Sequence, residues 1–236
     1  MTRSIRRPLR ARAGTWLLAT GVAGAVATLG AQLADLTPTQ REAVDRGELV
    51  VTTHTGSGSP WPAVTVYAFI DATPEEATAI FTDYERHATY IPSIIRSHIS
   101  RVIDSVTVEV DYTLAIPLVS DEAYTVRDRI TRVGADHYRV DWELVRASST
   151  KQTTGHARFS VHRNTKSARS GTLMEYHNFV TPGSRLAALG FVRSRSIAQV
   201  RETARAIARH IVTERGNAAM MRRRLALLRN AIGATR

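Results

Sequence analysis

Through the middle of the chain, apolar and polar residues alternate. Val106, Val108, Val110, Tyr112 and Leu114 share one parity, and Glu109, Asp111 and Thr113 hold the other. Tyr138, Val140, Trp142 and Leu144 repeat this against Arg139, Asp141 and Glu143. Successive side chains of a strand point to opposite faces, so these stretches are strands with one apolar and one solvated face, as in antiparallel sheets. Turn residues divide the region into six predicted strands: Ser93–Ile103, Val106–Ile116, Ala123–Val133, Asp136–Ala147, Thr153–Arg163 and Gly171–Val180. Acids on the polar parity then fall beside Arg127 and Arg129 of a neighbouring strand, a cross-strand charge ladder. Another strand, Ala63–Ala72, stands ahead of them, rich in β-branched and aromatic residues.

After that strand, Thr73-Pro74-Glu75-Glu76 starts a helix. Thr73 caps it, Pro74 suits the first position, and Glu76 completes a capping box. The helix turns Ala77, Ile80 and Phe81 inward and ends near Asp83, and a second short helix runs to about Tyr90, where Pro92 stops it. At the far end the period changes. Ile197, Val200, Ala204, Ile207 and Ile211 step by three and four, which predicts one long helix from Ser184 to about Glu214. Near the start, Thr37-Pro38 opens a short helix that Gly47 can end, Glu48–Thr53 reads as a short strand, and the glycine- and serine-rich stretch 56–60 is a linker.

This order of elements resembles the helix-grip superfamily of START lipid-transfer domains, the birch-pollen-allergen family, polyketide cyclases and coenzyme-Q-binding proteins. The stretch IDATPEEATAIFTDYERHATYIPSI (Ile70–Ile94) is similar to that superfamily's first strand and two helices, with its Asp83-Tyr84 and Ile91-Pro92 pairs. GTLMEYHNFVTPGS (Gly171–Ser184) is similar to the last strand and its Pro-Gly exit. The resemblance covers about residues 61–214 and implies an α+β fold, a curved antiparallel sheet around a long C-terminal helix, with a hydrophobic ligand. Such a sheet leaves an interior lined by apolar residues with a few polar handles, the usual character of small-molecule sites. The expected lining is Val108, Val110, Tyr112, Val126, Tyr138, Val140, Trp142, Phe159 and Tyr176 from the strands, with Ile197, Val200 and Ala204 from the helix.

Charge sharpens the picture. The chain carries a net charge of +11, but residues 1–34 hold five arginines and no acid, and residues 215–236 hold six and no acid. Residues 35–214 are left with 21 basic and 21 acidic side chains, so the folded body is neutral and nucleic acid is not an expected partner. The arginines of 1–12 precede a 21-residue uncharged stretch, 14–34, containing Ala25-Val26-Ala27. That is the layout of a secretory signal peptide, residues 1–27, and predicts export to a periplasmic or extracellular location. The same stretch, 14–34, is long enough to anchor the chain in a membrane instead. The expected organisation is the signal at 1–27, an extension and linker at 28–60, a ligand-binding domain at 61–216 and a basic tail at 217–236.

The chain holds no cysteine, which removes disulfides, thiolate nucleophiles and cysteine metal sites. Its eight histidines show no metalloprotease spacing, and His156 and His162 stand about 20 Å apart along one strand, too far for one metal. No metal or cofactor is expected. Glu175 and His177, two apart on a strand, share a face and form the candidate acid–base couple if the domain were a cyclase or aromatase rather than a binder. A third alternative is a protein-interaction module without an open cavity. In the tail, Met221, Leu225, Leu228 and Ile232 form a helical stripe among Arg222, Arg223, Arg224 and Arg229. A basic amphipathic helix reads as a membrane-surface contact, made by Arg222, Arg223, Arg224, Leu225 and Leu228.

Overall fold

The structure is a computed structural model and describes residues 36–56, 59, 61–115, 121–182 and 190–234. The expected signal or anchor, residues 1–27 and 14–34, lies outside the described residues. Two threonine-capped helices occur where proline follows a capping residue. Helix α1 is Pro38–Asp45, with Thr37 and Gln40 closing a reciprocal capping box. Strand β1, Val50–His54, and strand β2, Ala63–Ile70, follow. Helix α2 is Pro74–Phe81, where the Thr73 hydroxyl accepts from the Glu76 amide at 3.2 Å and Glu76 accepts from the Thr73 amide at 2.8 Å. A 3₁₀ turn, Tyr84–Arg86, leads into α3, His87–Tyr90.

The strands that follow are β3 (Ile94–Val102), β4 (Thr107–Leu114), β5 (Glu122–Gly134), β6 (His137–Ala147), β7 (Gln152–Arg163) and β8 (Ser170–Thr181). They agree with the alternation to within one or two residues. Among the described residues they join β1 and β2 in one eight-stranded antiparallel sheet, ordered β1-β2-β8-β7-β6-β5-β4-β3. The chain leaves β2, crosses by α2 and α3 to the far edge, and meanders back until β8 pairs with β2. Register shifts in β3, β5 and β6 bend the sheet, because an extra residue on one strand bends it and increases its twist.

Helix α4, Gly190–Arg215, packs against β2 and α2, and the expected stripe faces the sheet: Ala204, Ile207 and Ile211 are buried. Gln199 Nε2 donates to the Pro92 carbonyl at 3.1 Å, and Arg86 pairs with Glu214 at 3.0 Å, tying α4 to the α3 region.

Two sequence expectations need correction. Residues of the 28–60 extension are built into the sheet: β1 pairs with β2, and Leu36, Val44 and Val50 pack with Tyr67 and Leu173 on the face away from α4. Asp45 fastens α1 there, accepting from His162 Nε2 at 2.7 Å. The tail is likewise part of the fold. Helix α5, Ala218–Gly233, packs on α2 with Met221 and Leu228 buried and Leu225 half-buried against the core. Arg224 pairs with Asp83, and Arg229 grips Glu75 through two bonds of 2.8 and 2.7 Å. The apolar stripe read as a membrane contact is therefore spent on the domain itself, and Leu225, Leu228 and Arg224 are not free for a bilayer. Arg222 and Arg223 remain exposed.

Candidate functional site

The expected lining residues, Tyr138 excepted, all fall within one core between the sheet's inner face and α4. Val110, Val140 and Phe159 are fully enclosed there, while Val108, Tyr176, Ile197 and Val200 pack at its margin. Tyr138 points to the same face at the other end, among Ala79, Leu228 and Ile130 under α5, and Arg132 lies over its ring. Trp142 occupies the middle. Its indole packs on Phe81 and Tyr176, at ring separations of 6.4 and 5.3 Å, and lies against Gly155 of β7. A Cβ on Gly155 would stand 2.6 Å from that indole, so glycine is what lets the ring approach the sheet so closely.

Among these apolar residues lies a polar group that the alternation predicts by parity but that composition conceals. Asp128 shares the inward parity of Tyr124, Val126 and Ile130 on β5, and stands opposite Trp142 and Val108 in register. It is 4% exposed. Burial pushes its carboxyl up to about 8, so at neutral pH it is mostly a neutral acid. Its charge, when present, acts on the hydroxyls of Tyr84, Tyr112, Tyr124 and Tyr176, which burial itself raises further. Asp128 Oδ2 and the hydroxyls of Tyr84 and Tyr90 are buried with no hydrogen-bond partner among the described residues.

His87 completes the group. Its Nε2 donates to the Phe81 carbonyl at 2.8 Å, which leaves Nδ1 to accept from the Tyr112 hydroxyl at 2.8 Å. Both nitrogens are thereby used in the neutral tautomer, and burial lowers the ring to about 4. Tyr90 stacks on His210 of α4 with ring centroids 3.8 Å apart. A buried acid, a neutral imidazole and several tyrosines thus converge beneath α4. Tyr124, Tyr176, Ile197 and Val200 keep part of their surface exposed although they pack on the core.

The expected acid–base couple lies elsewhere. Tyr176 points inward onto Trp142, so its neighbours Glu175 and His177 point to the opposite face of the sheet. There Glu175 accepts from His156 Nε2 at 2.9 Å and pairs with Arg158 at 3.4 Å. Burial raises its carboxyl, but those partners together hold it below the ordinary carboxylate range. His177 bonds Thr65 through Nδ1 at 2.9 Å and stacks on His156. This is a closed ion-paired cluster, and neither residue reaches the interior. The charge ladder expected beside it is present, with Arg127 bonding Glu109 at 2.8 Å and Glu143 at 3.5 Å.

Concavities open at the surface of the described residues. One of about 340 Å³ at the end of β3–β6 is lined by Arg96, Asp111, Thr113, Thr125, Arg146 and Ser148 among others. One of about 190 Å³ lies between α5 and the sheet beside Tyr138 and Arg229. No group of three or more His, Asp or Glu side chains able to hold a metal occurs among the described residues.

Comparison with protein families gives no match, and neither does comparison with curated proteins. Solved structures do match. The STAR-related lipid transfer protein of Xanthomonas axonopodis aligns over 69% of this chain and 93% of its own, with TM-score 0.59 and 14% identity. Human StAR-related lipid transfer protein 5 aligns over 69% and 81%, with TM-score 0.55 and 9% identity. A protein of Thermus thermophilus aligns over 64% and 98%, with TM-score 0.54 and 11% identity. At these identities the likeness is one of fold: the chain has a START-like helix-grip architecture, a bent antiparallel sheet closed by its C-terminal helices.

Proposed function

We propose that this chain binds, and carries between locations, a hydrophobic small molecule or lipid held between the inner face of the sheet and α4. The observation that carries the reading is the set of unpartnered oxygens on Asp128, Tyr84 and Tyr90, buried among aromatic rings. A buried polar atom without a partner is costly, and a ligand bearing a hydrogen-bonding head would satisfy it. The apolar body of that ligand would lie along Ile197 and Val200. The fold shared with proteins named for lipid transfer supports the same reading.

The cyclase alternative loses its named residues, since Glu175 and His177 face away from the interior. Export remains part of the proposal, and it rests on the arginines and uncharged stretch of residues 1–34. Native mass spectrometry of the protein purified without detergent tests the central claim. A co-purified lipid or isoprenoid mass that disappears in Trp142→Ala supports it. A protein that carries no such mass, and takes up no fluorescent acyl probe, overturns it.

A further inference from the structure

We infer that the interior site takes a cationic head, an ammonium or alkylammonium group carried on a hydrophobic body. The inference rests on the reading of the interior as a ligand site and adds the charge of what it holds.

Asp128 is the starting point. Its carboxyl is enclosed, one oxygen has no partner, and no arginine or lysine is paired with it among the described residues. The arginines whose charges reach the neighbouring Tyr90 are both committed, Arg86 to Glu214 and Arg224 to Asp83. A carboxylate or phosphate head entering here would meet an acid and no free base. A neutral alcohol would answer the hydrogen bonds but would leave the acid protonated, adding no charge pairing. A cation answers both.

The surroundings suit it as well. Tyrosines stand around the acid: Tyr84 from the 3₁₀ turn, Tyr112 from β4, Tyr124 from β5 and Tyr176 from β8, with Trp142 opposite it in register. Aromatic faces carry negative potential and attract ammonium groups, most strongly where water is excluded. The histidines nearby do not compete with the guest as cations. His87 is bonded through both ring nitrogens, His210 is stacked on Tyr90, and burial holds both below the ordinary histidine range. Asp83, the acid near Tyr90, is paired with Arg224. Binding a cation therefore requires Asp128 to give up its proton, and the proton leaves to solvent.

The test uses the full chain and three probes with one tail: dodecylammonium, 1-dodecanol and dodecanoate, each below its aggregation concentration. Titration calorimetry at pH 8 should show the ammonium bound at least about tenfold more tightly than the alcohol, with dodecanoate weakest. At pH 7, repeating the ammonium titration in buffers of different ionisation enthalpy should show release of about one proton per molecule bound. Asp128→Asn should bring the ammonium down to the affinity of the alcohol. Equal affinity for ammonium and alcohol, tighter dodecanoate, or no proton release in the unaltered chain overturns the cationic head while interior ligand binding stands. If none of the three probes binds, the interior reading falls with it. The proton measurement needs no variant, so it decides even if Asp128→Asn fails to fold.

Discussion

The Tyr112 hydroxyl donates to Nδ1 of His87 across 2.8 Å, while the other ring nitrogen is held by the Phe81 carbonyl. This pair fixes the imidazole neutral at the centre of the interior and joins β4 to α3. Tyr112→Phe removes the donor and leaves a buried acceptor without a partner, which costs about 1–3 kcal/mol. Urea unfolding at pH 7 should show that loss with an unchanged slope.

His87 and Asp128 give stability opposite pH dependences. His87 titrates near 4 in the fold against 6.5 unfolded, so the unfolded chain binds more protons between those values. Its contribution is full above pH 6.5 and is lost as pH falls toward 4. Asp128 titrates near 8 in the fold against 3.8 unfolded, so its contribution is full below about 3.8 and declines as pH rises toward 8. Each slope is at most roughly 1.4 kcal/mol per pH unit. From these two groups the slopes oppose one another between pH 4 and 6.5, and only the decline remains from 6.5 to 8.

Asp128→Asn should therefore raise stability at pH 7.5 by about 2 kcal/mol or more and leave a curve that climbs to pH 6.5 and then levels. Denaturant midpoints taken from pH 4 to 9 check this. A variant less stable than the parent at pH 7.5 would mean that Asp128 has a buried partner after all.

Trp142→Ala removes an indole that packs on Phe81, Tyr176 and Gly155, and should cost about 3–5 kcal/mol while releasing bound ligand. Gly155→Ala reaches the same ring from the sheet side. Its Cβ would lie 2.3 Å from the His177 carbonyl and 2.6 Å from the indole, so overpacking should cost about 1–3 kcal/mol. Thermal melts of both variants, with ligand content read by native mass spectrometry, separate loss of packing from loss of binding.

For the C-terminal helix the expected outcome is a stability change. Leu228 on the buried face of α5 is 4% exposed, and Leu228→Ser should cost about 3 kcal/mol in denaturant unfolding while leaving sedimentation with anionic vesicles unaltered. A variant of unchanged stability that no longer sediments with vesicles would return the stripe to a membrane role.

An exported form of the protein should begin near Thr28, after Ala25-Val26-Ala27, which sequencing its first residues would establish. Retention of the full-length chain in membranes after an alkaline wash would point to an anchor at 14–34.

The local pattern was enough to find nearly every element. Alternation with period two and stepping by three and four are short-range consequences of which side must be buried. The Thr37 and Thr73 caps likewise depend only on residues three apart. Packing between distant segments was not legible in that way. Both Tyr138 and Trp142 carry the inward parity of β6, but only the placement of α5 puts Tyr138 under Leu228 and leaves Trp142 at the site. Glu175 and His177 share a face by parity, yet which face turns toward α4 is decided by Tyr176 meeting Trp142. The stripe of Met221, Leu225 and Leu228 fits a bilayer and the α2 surface equally well as a pattern, and the fold supplied the latter. Asp128 shows the division most clearly. Its parity with Val126 and Ile130 was present in the chain, but an acid on a mostly apolar stripe reads as a break in the pattern. Its consequence emerges only when Tyr84, Tyr112 and Tyr176, from segments far apart in sequence, close around it and exclude water.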